Sequence, residues 1–286
     1  NPTVRMFEER LAQLEGAEDC RATASGMAAI TAILMLFKAG DKILLSANVY
    51  GGTFRVLDKI FLNFNLEYEL VDTSDLSQVQ AKIDPTVRAI LIESPTNPLM
   101  QVTDIQGIAK LAQDNNILTI VDNTFMTPYL QRPISLGADI VIHSATKYLG
   151  GHSDLIAGLV VVNSNELAER IHFIQNATGG VLSPFDSWLL IRGIKTLGIR
   201  MDRHLENTIK INQFLLKNPA IVIIDESFAE FELSNEKVDH ALDVLIQGRT
   251  SIIISTRQPM IQKAQKMVCI DDLMSITSAN NYSNFL

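Results

Sequence analysis

Residues 88–124 read RAILIESPTNPLMQVTDIQGIAKLAQDNNILTIVDNT. Arg88–Glu93 is a short apolar, β-branched run of strand length. Asp104–Asn115 follows with a helical pattern behind Asp104, whose side chain suits an N-cap. Ile117–Asp122 is a second apolar run that closes on a carboxylate. A strand, a helix and a second strand in this order, with both strands apolar throughout, describe a parallel unit buried on both faces.

Working outward, the same alternation continues on either side. Lys42–Ser46, Glu67–Val71, Ala138–His143 and Gly158–Val162 read as further buried strands, and Asp75–Ile83 as a helix capped by Asp75. The expected fold class is therefore α/β, an open and mostly parallel sheet with helices on both faces. A long helical stretch runs from about Ser187 to Lys217. The composition then changes at Asn218-Pro219, and a new apolar strand, Ile221–Ile224, ends in Asp225-Glu226. We read a boundary there, giving a domain over 1–219 and a separate segment over 220–286, with a polar ending at Ser275–Asn284.

The bulk composition narrows the function classes. With 286 residues and 47% hydrophobic content, the chain can bury a large core. Its formal charge of −8, without a basic cluster, argues against nucleic acid or anionic lipid and for a small-molecule substrate. Cys20 and Cys269 lie too far apart for a disulfide framework and have no metal-ligand spacing, so no metal site is expected. The apolar run from Ala28 to Phe37 is too short to cross a bilayer, and no leader pattern is visible, which makes the cytoplasm the expected compartment. The chain opens at Asn1-Pro2 without a methionine, as a fragment or processed product would.

In open α/β sheets, ligands collect at the carboxyl ends of the strands. The polar residues gather there: Asn97 after one strand, Asp122 at the end of another, and Ser144-Ala145-Thr146-Lys147 after a third. A lysine that forms a covalent link to a carbonyl group must spend time as a neutral amine, which partial burial or nearby positive charge favours. Lys147, set between hydroxyl residues and Gly150-Gly151, is the candidate. Asp122 can hold a pyridine nitrogen protonated, although an aspartate there can equally be a turn residue. Ser25-Gly26-Met27 opens a helix that runs to about Lys38, and its free N–H groups suit a phosphate. Tyr50-Gly51-Gly52 follows another strand, where the tyrosine can stack on a ring or simply pack in a turn.

Together these groups resemble the Cys/Met-metabolism pyridoxal-phosphate enzymes: cystathionine γ-synthases, β-lyases and γ-lyases and the homocysteine-forming sulfhydrylases. The resemblance covers residues 1–218 and rests on ordered matches. They are Asn1-Pro2-Thr3, Ser25-Gly26-Met27, Tyr50-Gly51-Gly52, Glu93-Ser94-Pro95-Thr96-Asn97-Pro98, Val121-Asp122-Asn123-Thr124 and the Lys147 run. Gly179-Gly180, Pro184-Phe185-Asp186-Ser187 and Arg192-Gly193-Ile194-Lys195-Thr196-Leu197 follow. It implies the large domain of a fold-type I pyridoxal-phosphate transferase, with pyridoxal 5′-phosphate as cofactor and a homodimeric or homotetrameric assembly. It implies Lys147 as the cofactor-bearing lysine and carrier of the substrate's α-proton, Asp122 against the pyridine nitrogen, and Tyr50 over the ring. Ser25, Gly26, Met27, Ser144 and Thr146 would hold the phosphate, and Asn97 would lie near the cofactor hydroxyl and the substrate carboxylate. His143 and His152 read as structural.

The family also uses a tyrosine and an arginine upstream of the Asn-Pro-Thr run, which reach a neighbouring subunit's phosphate site, and a C-terminal domain whose arginine binds the substrate carboxylate. Neither has a counterpart in this chain. The expectation is weak cofactor binding and doubtful turnover. Residues 220–275 instead resemble the end of an ABC-transporter ATPase domain. Ile221–Glu226 matches a Walker B strand with its glutamate, and Gly248-Arg249-Thr250 through Ser255 and Ile261-Gln262-Lys263-Ala264 match the following strand and helix. No phosphate loop ending in Gly-Lys-Ser/Thr occurs, and Thr256 stands where the switch histidine is expected, so the segment reads as a non-functional graft.

The expected reaction is that of cystathionine β-lyase, from cystathionine to homocysteine, pyruvate and ammonia. Thr127-Pro128-Tyr129 and Gly179-Gly180-Val181-Leu182 look like the bacterial enzymes of that name. γ-Synthase, γ-lyase and O-acylhomoserine sulfhydrylase share the constellation and remain alternatives. A nucleotide-binding module of ABC type, resting on the tail alone, is the alternative from a different class.

Overall fold

The computed structural model describes residues 1–97 and 99–216, the segments 221–225 and 250–254, and positions 243 and 247. Chain contacts divide it into one unit over Asn1–Ile209 and another over Lys210–Leu286, ahead of the boundary read at Asn218-Pro219.

In the first unit, the elements alternate along the chain as α1 (Pro2–Glu15), β1 (Asp19–Thr23), α2 (Gly26–Leu34), β2 (Lys42–Ser46), α3 (Gly51–Lys59) and β3 (Glu67–Val71). They continue as α4 (Leu76–Ala81), β4 (Val87–Glu93), α5 (Ile105–Asp114), β5 (Leu118–Asp122), α6 (Thr127–Leu130), β6 (Ile140–Ser144) and β7 (Gly158–Val162). The helices α7 (Asn165–Thr178) and α8 (Pro184–Ile194) complete it, and α9 (Leu197–Leu216) crosses into the second unit. The seven strands form one sheet in the order β1-β7-β6-β5-β4-β2-β3. β3, β2, β4, β5 and β6 are mutually parallel, while β7 runs antiparallel to both β6 and β1.

The strand period of two sorts the core. Leu44, Ile90, Val121 and Val141 face one side with Phe7 and Leu11 of α1 and Ile108 of α5. Their neighbours Ile43, Leu91, Ile120 and Ile142 face the other with Ile30 and Ile33 of α2, Leu57 of α3 and Ile171 of α7. Neither face of the central strands meets water, which is why they read as unbroken apolar runs.

The helix starts follow the capping residues. Asp75 accepts from the amides of Ser77 and Gln78, and Asp104 from that of Gly107. Three elements depart from the sequence reading by more than two residues. β1, whose Asp-Cys-Arg-Ala-Thr pattern carries little apolar signal, was not anticipated. α2 stops at Leu34, short of Lys38, as the chain tightens through Leu36 N–H to Ile33 O at 3.0 Å. The long helix expected from Ser187 to Lys217 is two helices, because the Gly193 carbonyl is taken by the Thr196 amide (3.2 Å) and by Nη2 of Arg200 (2.9 Å).

In the second unit, β8 (Ile221–Asp225) pairs in parallel with β9 (Thr250–Ile254). Glu226, Gly248, Arg249, Ser255, Thr256, the Ile261–Ala264 motif and the Ser275–Asn284 ending lie outside the described residues. No helix among the described residues is long and apolar enough to cross a membrane.

Candidate active site

Glu93 and Asp122 end β4 and β5 side by side in register, and Ser144 ends β6, so the parallel strands deliver three polar side chains to one edge. Asp122 is half-buried and turns the chain through an Asx arrangement. Its Oδ1 accepts from the Thr124 amide at 3.0 Å and the Thr124 hydroxyl at 2.6 Å. The same Thr124 oxygen accepts from the Ser144 amide at 2.8 Å. One hydroxyl therefore locks the end of β5 to the end of β6. Both Thr124 bonds fall on Oδ1, so Oδ2 keeps its lone pairs for a cationic N–H.

The anion-binding side is built on α2. Ser25 caps the helix, its Oγ accepting from the Ala28 amide at 3.0 Å and its carbonyl from Ala29 at 3.1 Å. Those bonds consume the third and fourth amides of the first turn and leave Gly26 and Met27 as its donors, pointing along the positive end of the helix. A Cβ on Gly26 would come within 3.0 Å of the Ser144 Cβ, so any larger residue would have to push the end of β6 back from the helix start. Ser25, Gly26, Met27 and Ser144 thus converge. Tyr50 joins them: a Cβ on Gly52 would meet both the Tyr50 ring and the Met27 sulfur.

Thr146 is engaged otherwise than expected. Its hydroxyl donates to the Ala157 carbonyl at 3.2 Å and accepts from the Ala157 amide at 3.1 Å, tying the lysine loop to the start of β7. Lys147 follows in a tight turn, its amide bonded to the Ser144 carbonyl at 3.1 Å, and its side chain is exposed rather than buried. Positive charge does lie beside the loop, since Nη1 of Arg200 donates to the Tyr148 carbonyl at 2.7 Å. His143 is fully buried against Glu15, while His152 is exposed and bonds the Gly150 carbonyl.

Burial is the largest influence on both strand-end carboxylates. It raises Asp122, against the two Thr124 bonds and the charge of the His143 imidazole. Burial, then the charge of Asp122, push Glu93 up to about 8, against amide bonds from Tyr50 and Asn97. A buried carboxylate beside a half-buried one is completed by a cation, and a protonated ring nitrogen is one. With the Gly26–Ser144 cradle for an anion, the residues fit a phosphorylated pyridine.

Glu93 and Thr124 lie in this cluster although the sequence reading did not single them out as site candidates. For Thr124, the Asp-x-Thr spacing was the available signal.

The chain matches the family described as Cys/Met metabolism PLP-dependent enzyme over residues 1–278, a range that extends past Pro219. It is 54% identical over 221 residues to the cystathionine gamma-lyase of Bacillus subtilis (strain 168), covering 77% of this chain and 58% of that protein. The cystathionine beta-lyase of Lactococcus lactis subsp. cremoris matches equally, at 54% over 221 residues and the same coverage of 77% and 58%. The crystal structure of cystathionine gamma-lyase from Lactobacillus plantarum complexed with L-serine superposes with a TM-score of 0.76 at 52% identity, over 77% of this chain and 58% of that one. The chain thus spans less than two thirds of the length of these relatives.

Proposed function

The chain belongs to the Cys/Met metabolism PLP-dependent enzyme family, and from that premise we propose that it is a carbon–sulfur lyase or transferase of trans-sulfuration, with cystathionine β-lyase activity as the favoured reaction. The observation that carries this reading is the bonded chain from the Ser144 amide through Thr124 to Asp122, with Gly26 packed on Ser144. It fixes the distance between an anion cradle and a cation-accepting carboxylate, immediately before Lys147.

Bound pyridoxal phosphate supplies the electron sink that lets a bond to the substrate's α-carbon break heterolytically. The chain's own residues do the rest. The Gly26 and Met27 amides and the Ser144 hydroxyl hold the phosphate at the positive end of α2. Thr146 joins them by turning its hydroxyl hydrogen from the Ala157 carbonyl to the phosphate while its oxygen keeps accepting from the Ala157 amide. Asp122 accepts from the ring N–H, Tyr50 covers the ring, and Asn97 orients the substrate carboxylate. Lys147 carries the cofactor, and its amine takes the α-proton. In β-elimination the β-carbon–sulfur bond then breaks with its electron pair on sulfur, which takes up a proton and leaves as homocysteine; one water hydrolyses the three-carbon remainder to pyruvate and ammonia. The γ-route needs a second proton removal, at the β-carbon.

Thr127-Pro128-Tyr129 and Gly179–Leu182 support the β-lyase reading. The equal identities to a γ-lyase and a β-lyase do not choose between them. The products do: purified chain given pyridoxal phosphate and cystathionine should release pyruvate and homocysteine, and Lys147→Ala should release neither. Release of 2-oxobutyrate and cysteine would reassign the reaction to γ-elimination.

A homo-oligomer is also part of this reading. The exposure of Phe185 (66%) and Trp188 (48%) on α8 supports it, and light scattering would test it. The family match continues to residue 278, which argues against the separate ABC-ATPase origin expected from the sequence. For residues 220–286 we propose only that they do not bind nucleotide, and measurable ATP affinity would overturn that.

A further inference from the structure

We infer that Glu93 is the positioning residue of this site: one buried carboxylate fastens the backbone of Tyr50 and the backbone of Asn97 to the strand that lies in register with Asp122. The inference rests on the functional reading above and adds a residue to it.

The geometry is specific. Glu93 ends β4 with its side chain buried (7% exposed), opposite Asp122 at the end of β5. Its Oε2 accepts from the Tyr50 amide at 2.7 Å, across 43 residues of chain. Its Oε1 accepts from the Asn97 amide at 3.2 Å. Tyr50 immediately precedes α3 and has no side-chain cap of its own, so this bond fixes where the helix and the tyrosine ring begin. Asn97 lies in the turn after β4. The two residues expected to meet the ring face and the substrate carboxylate therefore take their places from one side chain. Two oxygens serve two amides, and neither a hydrophobic residue nor an amide side chain can do both.

The same placement couples the clamp to charge. The ionisable groups acting here are Glu93 itself, Asp122 beside it on β5, and His143 on β6, which acts on Asp122. Two carboxylates this close, with burial acting on both, favour holding a proton between them. A cation against Asp122 relieves that repulsion. Glu93 can then be an anion accepting two N–H bonds, its strongest form as a clamp. Positioning of Tyr50 and Asn97 should therefore tighten when the cationic ring is seated.

The test uses the full chain as wild type, Glu93→Gln, and a control, Glu8→Gln. Glu8 is another buried carboxylate that accepts a backbone amide, from Ala22 at 2.9 Å, but it sits on the buried face of α1, outside the site. Hydrogen exchange of the cofactor-free chains should show faster exchange of the Tyr50 and Asn97 amides in Glu93→Gln and unchanged rates there in Glu8→Gln. Titration with pyridoxal phosphate, followed by absorbance, should show about a tenfold weaker Kd for Glu93→Gln, the loss of one charge-assisted bond. The pH dependence of the bound band between pH 6 and 9 should flatten in the same variant. Wild-type exchange, affinity and pH profile in Glu93→Gln would overturn the inference. If Glu93→Gln does not fold, Glu93→Asp, one methylene short of both amides, is read in the same way. A wild-type chain with no Lys147-dependent band would instead sink the functional reading, leaving the amide-exchange result to decide on the clamp alone.

Discussion

Glu15 Oε1 lies 2.6 Å from His143 Nε2 and 3.1 Å from Asn123 Nδ2, and all three side chains are fully buried. Asn123 follows Asp122 directly, and its amide group also bonds Gln131 in both directions, at 2.8 and 3.0 Å. This cluster lies directly beneath Asp122, the carboxylate proposed to face the ring nitrogen, and reaches it from the last turn of α1. Glu15 Oε2 and His143 Nδ1 have no hydrogen-bond partner among the described residues. The shape of the cluster predicts an asymmetric response. Glu15→Gln keeps an oxygen that can accept both bonds and should change stability by less than about 1 kcal/mol. Glu15→Leu leaves His143 and Asn123 buried without their acceptor and should cost about 3–5 kcal/mol, read as the shift in urea midpoint. Equal midpoints for the two variants would show that the cluster is packing alone. At the reacting end, Asp122→Ala should abolish most product release. It should also free the Thr124 hydroxyl, because Oδ1 takes both Thr124 bonds. Near-normal turnover in that variant would remove Asp122 from the proposed chemistry.

The helix α2 shows how an element turns sequence into a site. Its interior is apolar enough to be buried, and its first turn offers only the Gly26 and Met27 amides, because Ser25 consumes the next two. Gly26→Ala should therefore act at the site more than on the fold. The added carbon lies 3.0 Å from the Ser144 Cβ and 3.2 Å from its Cα, so the end of β6 must give way. The expected result is at least a tenfold loss of pyridoxal phosphate affinity with a melting temperature lowered by only a few degrees. An unchanged affinity would place the phosphate elsewhere. Much at this scale was legible in the sequence. β2, β3 and β7 begin and end where their apolar runs do, and Asp75 and Asp104 cap as their types suggest. What escaped reading depends on contacts far apart in the chain. The break between α8 and α9 comes from Arg200 reaching the Gly193 and Tyr148 carbonyls. β1 has no apolar pattern of its own and exists through its pairing with β7. Glu93 looks like an ordinary strand-end residue until Tyr50, 43 residues away, donates to it.

For the whole molecule, the ionisable groups split into two sets that bound stability from opposite sides. Glu8, Asp139, Asp122 and Glu93 are raised chiefly by burial, Glu93 to about 8. A carboxyl raised in the folded state binds its proton more tightly there than in the unfolded chain, where it titrates near 4. Its contribution is thus complete below about pH 4 and is lost as pH rises through the folded value. Asp84 is lowered mainly by its bond to Lys42, Asp72 and Asp75 by bonds to Ser74 and Ser77, and Asp58 by Lys59. Their contribution is present above about pH 4 and fades as pH falls below it. These four are part-exposed at the surface, where solvent screens their bonds, so the acid limb should be shallow. The alkaline limb should be the steeper one. It includes the buried Glu8 and Glu93, and the formal charge of −8 adds repulsion as the raised carboxyls ionise. Stability of the cofactor-free chain should therefore peak on the acid side of neutral, between about pH 5 and 6.5. It should decline toward pH 8 to 9. Urea unfolding followed by Trp188, the single tryptophan, reports this for the unit that carries the sheet. Pyridoxal phosphate should stabilise the chain by mass action. It should do so most on the alkaline limb, where a cation beside Asp122 offsets the two ionised carboxylates. A maximum at pH 8 or above without cofactor, or a ligand-induced gain that is uniform with pH, would show that the Glu93–Asp122 pair does not control the stability of this sheet edge.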